Sequence, residues 1–405
     1  MNQSTHNLVI AGSGFAGLWA ALSAARAVNV AGRDGSVQIT VVSPTPNLTI
    51  RPRLYETAFE EMTPDIAPLL DAVGVRHMAG TVDAIHPERH QVELMSNNGE
   101  RAILPYDRFV LATGSRLFLP AIPGLAEHSF NVDQLNSAIA LDRHLRALAA
   151  RPETPARNTV VVAGGGFTGI ETVTEMPGRL REILGADAKI RVVVLEQAPV
   201  IGPDLGPVPR PVISEALAEC GVEVMTSAGA AAIDADSVTT TTGERIPTNT
   251  VVWTAGARAH PLAAQVAGEH DRFGRVHADA YLRAPGVKDI FVTGDVARAA
   301  TDDVGNIASM SCQHALSLGR VAGHNAAAEL VGLPLHPYSQ PKYVTCLDLG
   351  AWGAIFTEGW DRQVTMTRAE AKATKRAINT QWIYPPAADR DAAFAIANPD
   401  FAIVP

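Results

Sequence analysis

Cysteine is scarce in this chain. The three present, Cys220, Cys312 and Cys346, lie far apart and form no Cys-x-x-Cys pair. That excludes a disulfide-built scaffold and offers no zinc-ligand spacing, so no metal is expected. A basic excess is missing as well: the formal net charge is −9, which disfavours nucleic acid and anionic lipid as principal partners. The opening MNQSTHN lacks the basic-then-apolar layout of a secretory leader, and a reducing, cytoplasmic setting is expected. With 47% hydrophobic and 19% charged residues the balance is that of a globular protein. A length of 405 residues suffices for two or three domains.

One long uncharged stretch stands against these absences, Leu8–Ala25, LVIAGSGFAGLWAALSAA. Its length would suit a membrane span, but its glycines fall at phosphate-loop spacing. An apolar strand, Leu8–Ala11, breaks on Gly12-Ser13-Gly14-Phe15-Ala16-Gly17 and continues as a small-residue helix. Gly12 permits the turn, Gly14 lets a pyrophosphate approach the backbone, and Gly17 allows close helix–strand packing. The helix start then offers free N–H groups and partial positive charge to phosphates. A dinucleotide site is expected here.

The strand Val37–Val42 ends in Ser43, where such folds usually place a ribose-holding acid. In Ile50–Glu56, Arg51 is either an anion partner or an ordinary loop residue. Val75–Ile85, Gln91–Met95 and Tyr106–Gly114 follow as strands, the last ending in Ala112-Thr113-Gly114. After a proline joint and a helical pattern over Asp133–Ala150, the plan repeats. Strand Thr159–Ala163 leads into Gly164-Gly165-Gly166-Phe167-Thr168-Gly169, and Ile170-Glu171 starts the next helix. The following strand, Ile190–Leu195, ends in Glu196, which suits ribose hydroxyls and repels a 2′-phosphate, favouring NADH over NADPH. A hairpin turning on Thr242-Gly243 and a strand exit at Thr254-Ala255-Gly256 close this unit. Ile290–Val296 is a strand carrying Gly294-Asp295. A helix from Cys312 begins with Gln313 and His314; its start could stabilise negative charge on a ligand, while His314 alone is as readily a packed histidine. Leu349–Phe356 and Gln363–Thr367 are expected as strands and Arg368–Ile378 as a basic helix. The closing FAIANPDFAIVP is too short to span a bilayer.

The ordered set AGSGFAG, YDRFVLATG, AGGGFTGIE, VVWTAG, VTGD and CQHA resembles the two-dinucleotide-domain flavoproteins of the pyridine nucleotide-disulfide reductase superfamily. The branch it is most similar to lacks the redox disulfide: type II NADH:quinone oxidoreductases and apoptosis-inducing-factor-like proteins. Indeed no cysteine occurs before Cys220. The resemblance implies an α/β chain with two Rossmann-like domains, the second inserted in the first. The FAD domain would span 1–120 and 257–332, the NADH domain 121–256, and a C-terminal α+β region 333–405. It implies FAD on Gly12, Gly14, Phe15, Ala16, Gly17, Ser43, Arg51, Val82, Ala112, Thr113, Gly114, Gly294 and Asp295. NADH would lie on Gly164, Gly166, Phe167, Thr168, Gly169, Glu196, Ala255 and Gly256. Glu171 matches the family's acid near the nicotinamide, and Gln313 and His314 would border the flavin and the acceptor. In the type II enzymes this helix begins Ala-Gln-x-Ala with a further glutamine. Here Gln313 and Ala315 match, Cys312 replaces the alanine, and Ser317 and Leu318 stand where the glutamine belongs.

The reaction implied is hydride transfer from NADH to the flavin, then two electrons onward to a quinone-like acceptor. Three alternatives stay open: a sulfide- or persulfide-handling enzyme using Cys312 and Cys346, a reductase or oxidase of a biosynthetic pathway, and an NADH-responsive redox sensor. Peripheral contact with the inner face of the membrane and a homodimer also remain open.

Overall fold

Strand His6–Ala11 is apolar at its last four positions, all buried, because elements cover both faces of the sheet it centres. In the computed structural model, which describes residues 5–403, that sheet has eight strands. Their order is Arg283–Ala284, Val287–Val292, Arg108–Leu111, His6–Ala11, Val37–Ser43, Arg76–His86, Gln91–Ser96 and Arg101–Pro105. The run from Val287–Val292 to Arg76–His86 is parallel, and antiparallel strands finish both edges. The sheet thus joins residues on either side of a long intervening segment. Residues 1–4 and 404–405, which carry part of the leader and tail expectations, lie outside the described residues.

Helix α1 (Phe15–Val30) leaves the first glycine loop and packs along one face. Against it lies the later helix Cys312–Val331, and the two come unusually close. A Cβ on Gly319 would meet the Ala16 carbonyl oxygen at 2.5 Å, and one on Gly323 the Ala20 carbonyl oxygen at 2.0 Å. Two glycines on one helix therefore seat against two alanines on the other. This fixes the start of the Cys312 helix beside the first loop.

The intervening segment forms a second sheet, all parallel, ordered Val222–Met225, Arg191–Leu195, Thr159–Ala163, Thr250–Trp253, Ser129–Phe130. Its central strand is buried at every residue and feeds α2 (Phe167–Leu184). The expected hairpin is present as Ser237–Thr240 against Arg245–Pro247. Both units are thus Rossmann-like, a parallel sheet with a glycine loop leading from a central strand into a helix.

The Cys312–Val331 helix is α3. Beyond it, a three-stranded antiparallel sheet (Val344–Asp348, Ala354–Glu358, Gln363–Thr367) carries α4 (Arg368–Ala377). The expected strand Leu349–Phe356 is wrong in its first half. Gly350–Trp352 is a 3-10 turn, Gly350 has φ +60° and Gly353 φ +122°, and the chain reverses there into a hairpin. A Cβ on Gly350 would lie 2.2 Å from the Thr174 carbonyl oxygen, so this turn is pressed onto α2.

Candidate active site

The two glycine loops share one construction. Gly12 has φ +111° and Gly164 φ +119°, a region that favours glycine. A Cβ on Gly17 would sit 1.9 Å from the Gly12 carbonyl oxygen, and one on Gly169 1.8 Å from that of Gly164. A Cβ on Gly14 or Gly166, by contrast, would meet nothing within 4 Å. These are the N-cap residues of α1 and α2, and neither helix start is closed by a side chain or carries an acid in its first turn. Phe15 and Ala16, like Phe167 and Thr168, form the first turn of each helix. Each loop is therefore an open cradle of N–H groups facing the space a pyrophosphate needs.

Buried polar atoms without partners mark the same region. Thr113 Oγ1 beside Ala112 and Gly114, Thr293 Oγ1 beside Gly294, and Gln313 Oε1 at the start of α3 have none. Orphaned buried groups are rare in native proteins; others occur elsewhere in the chain, but these three are grouped here, where a bound polar cofactor would satisfy them. Asp295 accepts from Ser115 Oγ at 2.6 Å and lies 3.6 Å from the Arg51 guanidinium. Arg51 also pairs with Asp133 at 2.5 Å, so two carboxylates share its guanidinium. Ser43 donates to the Thr45 carbonyl at 2.8 Å and contacts His77 Nε2 at 2.9 Å. Val82 is packed in an apolar cluster with Ile85 and Val92.

In the second unit Glu196 is fixed from both sides. Its Oε2 accepts from the Gly165 N–H at 2.8 Å and its Oε1 from the Ala198 N–H at 2.7 Å. Ala255 and Gly256, the latter at φ +88°, lie against Gly164 and Phe118 respectively. The second unit thus carries an acid, Glu196, just past its strand, where the first carries Ser43.

Glu171, one turn into α2, is buried together with Lys375 of α4, and the two form an ion pair at 2.8 Å. Glu171 also accepts from the Asp348 N–H at 3.1 Å, and Lys375 donates to the Cys346 carbonyl at 3.1 Å. Burial pushes the Glu171 carboxyl up to about 7, against the pull of Lys375. Burial pulls the Lys375 ammonium down, but Glu171, Cys346 and Asp348 together more than offset it and the net shift is upward. Asp348 in turn pairs with Lys372 at 2.5 Å and accepts from the Tyr55 hydroxyl at 3.1 Å. Lys375, Asp348, Lys372 and Tyr55 were not among the residues expected. The available signal was two lysines three apart, hence on one face of an expected helix.

The start of α3 is divided. Gln313 is partly buried, whereas His314 has no exposed surface. The His314 ring lies between the Ser311 hydroxyl, 2.9 Å away, and the rings of Tyr343 and Trp360, at 5.1 and 5.8 Å. Burial pushes its imidazole down to about 4, which leaves it neutral near pH 7. Cys346 is buried in an apolar cluster with Ala354, Phe356 and Ala371. Burial pushes the Cys312 thiol up to about 11 and that of Cys346 up to about 12.

Comparison with known proteins gives the same architecture. The pyridine nucleotide-disulphide oxidoreductase family model matches residues 6–319. An NADH dehydrogenase-like protein of Mycobacterium tuberculosis is 45% identical over 382 residues, 94% of each chain. Demethylphylloquinone reductase NdbB of Synechocystis is 29% identical over 366 residues, 88% of each chain. The structure of NDH2 from Plasmodium falciparum in complex with NADH superposes with a TM-score of 0.78 over 97% of both chains, at 13% identity. With two open phosphate cradles, orphaned groups at the cofactor position and a match over most of its length, the chain belongs to the pyridine nucleotide-disulphide oxidoreductase family, as an oxidoreductase using FAD and NAD(H).

Proposed function

We propose that the protein oxidises NADH through FAD and passes two electrons to a small quinone-class acceptor. FAD, when bound, supplies hydride acceptance and onward electron transfer; the chain supplies orientation, charge and proton control. Gly12, Gly14 and Gly17 with the α1 start hold its pyrophosphate, while Thr113, Thr293 and Asp295 take its polar linkage. Gly164, Gly166 and Gly169 hold the NADH pyrophosphate, and Glu196 accepts from the ribose hydroxyls and repels a 2′-phosphate. Glu171 positions the nicotinamide from the first turns of α2.

The observation that carries the proposal is the buried Glu171–Lys375 pair, which ties the nicotinotide-side helix to the C-terminal sheet and helix. A quinone takes up two electrons and two protons, whereas NADH releases two electrons and one proton. One proton must therefore come from water. A carboxyl held near neutrality beside an ammonium is suited to hold it. The relative of 88% mutual coverage is itself named a quinone reductase. A persulfide route would need thiolates, and burial disfavours them at both Cys312 and Cys346.

We place the protein on the cytoplasmic side, with peripheral membrane contact where the acceptor is lipid-borne. Support comes from Trp382, 61% exposed just beyond the basic α4. No helix among the described residues is long and apolar enough to cross a membrane.

The test is anaerobic. NADH should bleach the flavin absorbance quickly, NADPH slowly, and menadione should restore it, with Cys312→Ser and Cys346→Ser behaving as wild type. Bleaching without reoxidation by any quinone overturns the acceptor, and loss of turnover in both cysteine variants favours sulfur chemistry.

A further inference from the structure

We propose that Asp348 and Lys372 form a positioning pair that sets the protonation of Glu171–Lys375, and so the pH range over which electrons leave for the acceptor. The second half of that statement rests on the electron path proposed above.

Asp348 touches the couple in two ways. Its backbone N–H clamps Glu171 Oε1 at 3.1 Å, so the carboxyl has a fixed direction. Its own carboxylate is held nearby by three donors: the Gly350 N–H at 2.9 Å, the Tyr55 hydroxyl at 3.1 Å and Lys372 Nζ at 2.5 Å. Tyr55 is steadied from behind by Asn379, whose Nδ2 also donates to Glu56 at 2.9 Å. Asp348 is itself buried, and its donors compensate the loss of water around it. Paired with Lys372, it sets a second acid next to a group that must gain and lose a proton.

Lys372 is the member open to water, with 31% of its side chain exposed, and it also reaches Glu175 at 3.6 Å. It offsets Asp348 from the solvent side. The groups acting on Glu171 are Lys375 from α4, Asp348 and Cys346 from the strand Val344–Asp348, and Tyr55 from the early loop. Around them lie Lys372 on Asp348, Glu175 beside Lys372, Glu56 on the Asn379 that also holds Tyr55, and Cys312 near Lys375. Tyr55, Cys312 and Cys346 are all shifted toward their neutral forms. Among the charged members, the Asp348 carboxylate favours the protonated form of Glu171, and Lys372, paired with that carboxylate at 2.5 Å, offsets it. Both residues lie in the C-terminal region, whereas Glu171 belongs to the nucleotide unit, so the arrangement lets one part of the chain adjust the acid of another.

Removing the two members must therefore shift Glu171 in opposite directions, which loss of packing alone would not do. Infrared titration of the oxidised, FAD-loaded protein reads Glu171 directly, its carboxyl band being assigned by its absence in Glu171→Gln. Lys372→Met should raise the midpoint and Asp348→Asn lower it, each by about one pH unit, with Asp348→Glu returning it toward wild type. The pH profile of NADH:menadione turnover should follow the same order, while ferricyanide, which takes electrons without protons, should show no such displacement. Equal or absent shifts in the infrared titration overturn the proposal. If Asp348→Asn does not fold, Lys372→Met decides alone, because a midpoint that stays or falls is incompatible with it. A wild type inert toward menadione would refute the acceptor and leave the infrared result standing.

Discussion

Glu171→Gln should make the protein more resistant to unfolding in mild alkali than the wild type, relative to their difference in acid. The native carboxyl is raised from 4.5 to about 7, chiefly by burial. In the unfolded chain it ionises at its ordinary value. As pH rises, the unfolded state therefore loses its proton first. Stability contributed by this group is fully present below about 4.5, falls through the interval up to about 7, and stays reduced above it. Between about pH 5 and about pH 8 the linked loss is on the order of 2 kcal/mol. Glutamine keeps the shape and cannot ionise, so it escapes that loss. Lys375 does not cancel the effect: in the variant it lacks a counter-charge at every pH, as it does in the wild type once Glu171 is protonated. Urea unfolding of both FAD-loaded proteins at the two pH values measures the difference directly. A gap that does not change with pH, or one that widens in favour of the wild type on the alkaline side, would refute the assignment of a raised carboxyl. Flavin bleaching by NADH should slow in the same variant, since the residue that positions the nicotinamide loses its charge. Stability gained at the expense of activity is what a strained functional group predicts.

Glu196→Ser should raise the NADPH:NADH ratio of kcat/KM by about tenfold or more, because the carboxylate that repels a 2′-phosphate is gone; steady-state kinetics with both nucleotides checks this. Gly323→Ala forces a methyl against the Ala20 carbonyl oxygen, 2.0 Å from the ideal Cβ position. Prising α1 from α3 should cost about 3 kcal/mol and release FAD on purification, visible as a lower melting temperature and a colourless protein. Asp295→Asn weakens the partner of Ser115 and Arg51 and should loosen FAD by about tenfold, read from flavin fluorescence on dilution.

The local chemistry of this protein was legible from the residues alone. Glycine spacing after an apolar strand has one inexpensive conformational solution, so both phosphate loops, their helices and the strand ends at Ser43 and Glu196 could be placed without coordinates. Family resemblance suggested only that 1–120 and 257–332 share a domain; the pairing of Val287–Val292 with Arg108–Leu111 was not expected, since nothing in either strand names its neighbour. The turn at Gly350–Trp352 was missed because apolar residues flank it on both sides. Its reversal depends on positive φ at Gly350 and Gly353, and on the seat it finds against Thr174. The pairing of Glu171 with Lys375 was beyond reach for the same reason. Ion pairs between distant segments leave no periodicity, and a lysine in a basic helix looks like any other solvated charge. Tertiary packing decided which lysine was taken out of water. That desolvation turned an ordinary glutamate on α2 into a carboxyl poised near neutrality.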